Sequence, residues 1–385
     1  MTIPATSPLF ATVGTYPIDG DAWEGDPVRV DPGASRRAEG WEPDTFPAEW
    51  ANFMTGLHGD WIEHHRRRRL ASGLGSWDAR ASASNYVIKA IAARPEAPAF
   101  VGAVPVLPAD HMLSIVATGG GDTIQGSSDG SVWTGSSSGL SDSVADLAYL
   151  PIADRWIAVG GFTNGRIFSR VAGNLSTAWA SAYGPTLARF TRVSCSSGRA
   201  IAIGIGGRVS TSTNGTSWTA LSALPNEATD IAYGGGIFVA VYRDTIYTTT
   251  DGASWTTRLS ISSSAGTDDS RVAYDATRAR FFVSSSAAGA PKIWTFPASN
   301  PDDVTTIAIG EAANDIVCVN GIIVLVSANH VRFSDDAGAS WSYAYTGPTA
   351  AVGECACVSD VLSCVMIGGD SGAATAFLTQ STRGL

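Results

Sequence analysis

Side chains able to act as acids, bases or nucleophiles are thinly spread along this chain. Beyond residue 98 the glutamates are Glu227, Glu311 and Glu354, each in an expected loop or at a strand start. Aspartates such as Asp122, Asp244 and Asp370 stand mostly among turn residues. Retaining glycoside cleavage needs two carboxylates, or a tyrosine and a carboxylate, within a few ångströms. Spacing alone does not assemble such a set here. No phosphate loop, metal-ligand cluster or nucleophile elbow occurs. Of the five cysteines, Cys195 and Cys318 fall in expected strands, Cys355 and Cys357 alternate on one strand, and Cys364 lies on the next. A zinc site wants better-spaced ligands and a fourth partner. Buried free thiols from assembly in a reducing cytoplasm are expected instead, with no metal and no cofactor. Tyr183, Tyr242 and Tyr343 suit contacts with a sugar or protein ligand, and each is equally a packing residue.

A recurring phrase shows what would position these groups. It reads Ser127-Ser-Asp129-Gly130-Ser-Val-Trp133, Ser212-Thr-Asn214-Gly215-Thr-Ser-Trp218, Thr249-Thr-Asp251-Gly252-Ala-Ser-Trp255 and Ser334-Asp-Asp336-Ala-Gly338-Ala-Ser-Trp341. Asp or Asn beside Gly supplies the positive φ of a tight hairpin connection. The hydroxyl and the Asp or Asn side chain can bond nearby amides, holding the turn without metal. The Trp just past the turn is large enough to fill a gap between stacked units.

Upstream of each phrase lie short apolar strands, such as Ile237-Phe-Val-Ala-Val-Tyr242 and Ile322-Ile-Val-Leu-Val326. Two strands, a turn, a third strand, the phrase and a fourth strand make one four-stranded unit, the blade of a β-propeller. Degenerate units span residues 145–179 and 270–305. The fold expected is mainly β, a propeller of seven blades with six as the rival count. The last unit, 354–382, lacks a fourth strand, and Ala99-Phe-Val-Gly-Ala-Val-Pro-Val106 is the expected donor. Pairing both ends of the chain in one blade would remove the open sheet edges.

These phrases resemble the Asp-box (BNR) repeats of sialidase-type propellers. Ser334, Asp336, Gly338 and Trp341 match with the usual spacing, whereas the other three copies are one residue shorter between Asp or Asn and Gly. The resemblance covers residues 98–385 and implies fold more than function. In that family an Arg cluster, a Tyr–Glu pair and an Asp act on the substrate. Here the early Arg-Ile-Pro phrase is absent, and Arg166-Ile-Phe168 is its nearest echo. No catalytic residue is therefore assigned, and an Asp-box glycoside hydrolase, sialidase-like or a depolymerase, stands as the alternative.

Residues 1–70 differ, being rich in Pro and Trp and free of the repeat. Met1 is not followed by the apolar core of a signal peptide, and no stretch is long enough to cross a bilayer. Asp44-Thr45 followed by Pro47 is a helix start. Trp50, Phe53, Met54, Leu57 and Trp61 then fall on one face of an expected helix over about 47–69. That stripe either packs within its own small domain or is shared between copies of the chain. His64-His-Arg-Arg-Arg-Arg69 ends the helix, where positive charge suits the dipole. Together with Trp23 and Trp41, the segment resembles the attachment regions of tailed-phage appendage proteins.

Of 385 residues only 16% are charged, and the net charge of −10 argues against a nucleic-acid partner. The expected organisation is an attachment and oligomerisation segment over 1–70, a linker over 71–97 and a propeller over 98–385. That describes a virion structural protein, similar to a tail or neck fibre or spike. Its expected partners are other virion proteins, further copies of itself as a dimer or trimer, and a host glycan or protein receptor.

Overall fold

Runs such as Trp156-Ile-Ala-Val159, Ala200-Ile-Ala-Ile203 and Ile322-Ile-Val-Leu-Val326 carry no polar alternate position. They are too short for core helices, and a strand reads this way when both its faces are covered. In the computed structural model every residue from Ala200 to Gly204 and from Ile322 to Val326 is buried. The structure describes residues 77–81, 88–94, 99–101, 104–106, 114–118, 123–127, 134–137, 144–161, 165–172, 179–183, 189–243, 245–260, 270–285, 291–319, 321–327, 330–346, 355–359, 364–370 and 376–381.

Among the described residues the strands form seven four-stranded antiparallel sheets and one two-stranded hairpin. Blade 1 holds Ile88–Ala93, Ser114–Thr118, Thr123–Ser127 and Thr134–Ser137. Blade 2 holds Val144–Leu150, Arg155–Gly160, Arg166–Val171 and Ala180–Tyr183. Blade 3 holds Phe190–Cys195, Ala200–Gly204, Arg208–Ser212 and Thr219–Leu221. Blade 4 holds Asp230–Gly234, Ile237–Tyr242, Thr245–Thr249 and Thr256–Ser260. Blade 5 holds Arg271–Asp275, Arg280–Ser285, Lys292–Pro297 and Thr305–Ala308. Blade 6 holds Asp315–Val319, Ile322–Val326, His330–Ser334 and Ser342–Thr346. Blade 7 holds Cys355–Ser359, Cys364–Asp370 and Ala376–Ser381, with Trp77–Ala81 as its fourth strand. The first strands touch one another in a closed cycle, blade 1 to blade 7 and back, so they line the axis of a β-propeller.

Among the described residues the core is divided into seams, one between each pair of neighbouring blades from blade 1 to blade 6. Ile157 and Val159 of blade 2 meet Phe190, Ala200 and Ala202 of blade 3. The alternate residues of the same strand, Trp156 and Ala158, join Tyr149 and Phe168 against Ala90 and Ile124 of blade 1. Blade 4 repeats the pattern: Phe238 and Ala240 face Ile201 and Ile203 of blade 3, while Val239 and Val241 face Phe281, Val283 and Trp294 of blade 5. Each of these large side chains, fully buried, contributes roughly 1.5–3 kcal/mol. The outer strands are exposed, as at Thr219–Leu221 and Thr305–Ala308.

Two expectations are corrected here. The donor of the closing strand is Trp77–Ala81, paired antiparallel with Ala376–Ser381 from Trp77↔Ser381 to Ala81↔Phe377. Ala99–Val101 and Val104–Val106 pair with each other as the hairpin instead. Pro105 lies within that segment, and a proline has no N–H to give to a sheet ladder. The range expected as linker, 71–97, therefore contains two propeller strands, since Ile88–Ala93 pairs with Ser114–Thr118 as the first strand of blade 1. The helix expected over 47–69, with Trp23, Trp41, Trp50, Phe53, Met54, Leu57 and Trp61, lies outside the described residues.

The register gives a direct test of the closure. A chain beginning at residue 71 is expected to melt within about 2 °C of the full chain. One beginning at residue 83 exposes the ladder of Ala376–Ser381 and is expected to lose more than about 5 °C. Equal melting of the two in calorimetry contradicts the assignment.

Candidate functional site

The recurring turns sit between the third and fourth strands, at one end of the ring. In blade 3 the Ser212 hydroxyl accepts the amide N–H of Gly215 at 2.8 Å, and the Asn214 side chain accepts those of Thr216 and Ser217 at 2.9 Å. In blade 4 the Thr249 hydroxyl accepts from Gly252 at 2.9 Å and Asp251 accepts from Ala253 at 2.8 Å. In blade 6 Ser334 takes the Gly338 amide at 2.7 Å, and Asp336 takes both the amide and the hydroxyl of Ser340. The tryptophans pack on the seam with the preceding blade: Trp218 on the blade 2–3 core, Trp255 on the blade 3–4 core and Trp341 on the blade 5–6 core. These residues are occupied in holding turns. Of the first phrase, Ser127 ends the third strand of blade 1 and is buried, while Asp129, Gly130 and Trp133 lie outside the described residues.

Five charged residues that the sequence reading did not single out occupy the other end. Asp146, Arg192, Asp230, Arg271 and Asp315 stand at one register position of the first strands of blades 2 to 6, opposite Val159, Ile203, Val241, Ser284 and Val326. Their charges alternate in sign around the channel. Asp146 Oδ2 accepts the Val193 amide N–H of blade 3 at 2.8 Å. Asp230 repeats this one blade pair further on, taking the Val272 N–H at 2.9 Å. Arg192 stands between them, its Nε 3.7 Å from Asp230 Oδ1. The first strand is a sheet edge, so its channel-side amides have no strand partner. Each of these two aspartates supplies one across a seam.

Burial pushes the Asp146 carboxyl up to about 7, against the pull of Arg192 and the Val193 N–H, with Asp230 adding to the rise. Burial likewise raises the free thiols Cys195 and Cys318. In the turns the direction reverses. Backbone bonding from Ala253 holds Asp251 low, and at Asp336 the upward push of burial is outweighed by the Ser340 and Ser334 hydrogen bonds. Among the described residues no cluster of His, Cys, Asp or Glu is arranged to hold a metal ion.

The three candidate tyrosines fall on three blades. Tyr183 ends the fourth strand of blade 2, opposite Arg166. Tyr242 ends the second strand of blade 4, half-buried, with the Arg243 guanidinium 5.2 Å from its ring centre. Tyr343, 62% exposed, lies on the outer strand of blade 6. Its ring centre is 5.1 Å from that of His330, whose Nδ1 is 2.9 Å from Glu311 Oε2. The three tyrosines thus stand on separate blades. Glu227 Oε2 faces the Gly206 amide at 3.5 Å; Asp122, Asp244 and Glu354 lie outside the described residues.

No protein-family model matches the chain, and no curated protein matches it. Solved structures do. A catalytically inactive virginiamycin B lyase from Staphylococcus aureus with quinupristin is 11% identical, with TM-score 0.61 over 80% of this chain and 99% of that one. The WD40 β-propeller domain of Doa1 is 15% identical, with TM-score 0.57 over 80% and 97%. YCF48 from Cyanidioschyzon merolae is 12% identical, with TM-score 0.56 over 79% and 98%. At such identities the likeness shows the propeller fold alone.

Two outcomes follow from this geometry. The raised carboxyl of Asp146 binds a proton more readily in the folded ring than in the unfolded chain, so its contribution to stability falls as pH rises from 3.8 to about 7. Asp146→Asn keeps an oxygen for the Val193 amide, and its melting temperature is expected to equal or exceed the parent's at about pH 8, with a flatter slope below about pH 7. Gly215 has φ +72°, and a Cβ there would lie 2.6 Å from Ile157 Cδ1, whereas Gly206 has φ +70° and open space. Gly206→Ala is expected to lose about 1–2 kcal/mol in denaturant unfolding and Gly215→Ala distinctly more.

Proposed function

We propose that this chain is a phage virion protein, tail or neck fibre- or spike-like. Its N-terminal segment attaches it to other virion proteins, and the propeller is displayed as a non-catalytic platform for a receptor or glycan. The observation that carries the reading is where the chain joins the ring. Trp77 begins the outermost strand of blade 7 at the end occupied by the recurring turns, opposite Ser381. The opposite end of the ring carries the inter-blade loops, and loops on a rigid scaffold are the usual place for binding residues.

The chemistry of the carboxylates supports binding over cleavage. Asp146 and Asp230 hold amides of the next blade, Asp251 and Asp336 hold turns resembling Asp boxes, and Glu311 meets His330. A hydrolytic pair needs carboxylates free to meet a substrate. Light scattering with negative-stain imaging of the full chain tests the reading, together with reducing-end release from surface polysaccharides. A defined oligomer of rings joined at one end, with no sugar released, is expected. Single monomeric rings, or turnover of a glycan, would contradict it.

A further inference from the structure

One patch at the rim of blade 6 has no counterpart in the repeat. The other six blades begin their third strand with Thr123, Arg166, Arg208, Thr245, Lys292 and Ala376, whereas blade 6 begins with His330. The loop facing it, Ile309 to Asn314, leads from blade 5 to blade 6 and is pinned at both ends. Ile309 donates its amide N–H to the Pro291 carbonyl at 3.0 Å, and Asn314 donates to the Val326 carbonyl at 2.7 Å. Ile309 and Ala313 are buried in the blade 5–6 core, and the buried Arg332 guanidinium donates to the Glu311 carbonyl at 3.0 Å. Glu311 is thus presented by a fixed loop. Ionised, its Oε2 can only accept, so the His330 ring, 2.9 Å away, carries its proton on Nδ1 and when neutral turns a bare Nε2 away from the carboxylate. Neither that Nε2 nor Glu311 Oε1 has a hydrogen-bond partner among the described residues. Tyr343 pairs with Arg332, two residues along from His330, and its ring reaches diagonally to within 5.1 Å of the imidazole centre. Among the described residues it is the one exposed aromatic side chain.

We propose that Tyr343, His330 and Glu311 form a subsite for one residue of an uncharged glycan at the rim of blade 6. The inference rests on the platform reading above and gives it a place and a ligand class. A sugar ring has an apolar C–H face and a girdle of hydroxyls, so it needs an aromatic surface beside hydrogen-bonding groups. The Tyr343 ring supplies the surface at little cost in conformational entropy. Glu311 Oε1 accepts from a sugar O–H in a charge-assisted bond, and the bare Nε2 of His330 accepts from another. The separations of 2.9 Å and 5.1 Å keep the three groups in one patch. Charge selects against acidic glycans, because the Glu311 carboxylate repels a sugar carboxylate in a chain of net charge −10. An exposed subsite with one aromatic face holds a single sugar weakly, with a Kd on the order of 1 mM, and copies joined in an oligomer raise the affinity for a polymer.

The test is affinity electrophoresis of the full chain through gels holding mannan, galactan or dextran, with polygalacturonate as the acidic polymer. Retardation by at least one neutral polymer is expected, and none by polygalacturonate. Tyr343→Ala, at an exposed side chain, is expected to lose at least about tenfold in affinity, and Tyr343→Phe, which keeps the ring, less than about twofold. Glu311→Gln is expected to weaken binding several-fold, while Ile152→Ala, exposed in the turn after the first strand of blade 2, binds as the parent does. If Glu311→Gln melts early, Tyr343→Ala set against Tyr343→Phe decides alone. The proposal is overturned if no neutral polymer retards the chain, if polygalacturonate binds more tightly, or if Tyr343→Ala binds as the Ile152→Ala control does. Full binding of a neutral glycan by Tyr343→Ala would leave the platform reading standing, whereas release of sugar from the retarding polymer would overturn both.

Discussion

Everything in this ring depends on covering the second strands of blades 2 to 6 on both faces. Strands such as Ala200–Gly204 and Ile322–Val326 bury every residue, and alternate side chains enter seams on opposite sides. A sheet of this kind has no solvent face to offer, so each blade needs two neighbours. A row of such sheets satisfies that need at its ends only by closing. The pairing of Trp77–Ala81 with Ala376–Ser381 is therefore a requirement of the core more than an embellishment of the termini.

Closure brings seven sheet edges together at the axis, and the edges set the electrostatics. An edge strand presents unpaired amides, and two of them here are met by side chains from the neighbouring blade. Asp146 and Asp230 do this across their seams, and Arg192 stands between them, 3.7 Å from Asp230. One of these carboxyls is held near neutrality by burial. That follows from its place in the seam, so here a perturbed acid is no sign of catalysis. The interior is engaged with itself, and the ends and rim are what remain for a partner.

Much of this was legible in the sequence. The phrase ending in Trp218, Trp255 and Trp341 specifies a hairpin turn by local chemistry, and its recurrence marks the repeat. The closing strand was missed because its phrase is divided between distant parts of the chain. Ser381-Thr-Arg-Gly384 echoes Ser212-Thr-Asn-Gly215, and Gly75-Ser-Trp77 echoes Thr216-Ser-Trp218, yet neither half reads as a turn alone. The alternation of Asp146, Arg192, Asp230, Arg271 and Asp315 has a whole blade between successive members. No local window contains two of them, and only the register shows that they share a level. Only residue type marks Tyr183, Tyr242 and Tyr343 in the sequence, and type says nothing about whether they share a surface.

Native-state hydrogen exchange, read by mass spectrometry on the full chain, tests closure most directly. If the ring is one cooperative unit, amides in Trp77–Ala81 are expected to exchange as slowly as those of the second strands in blades 3 and 6, through the same global opening. Exchange of Trp77–Ala81 many-fold faster than those strands, with the interior still protected, would show a ring that does not depend on its closing strand and would contradict the account.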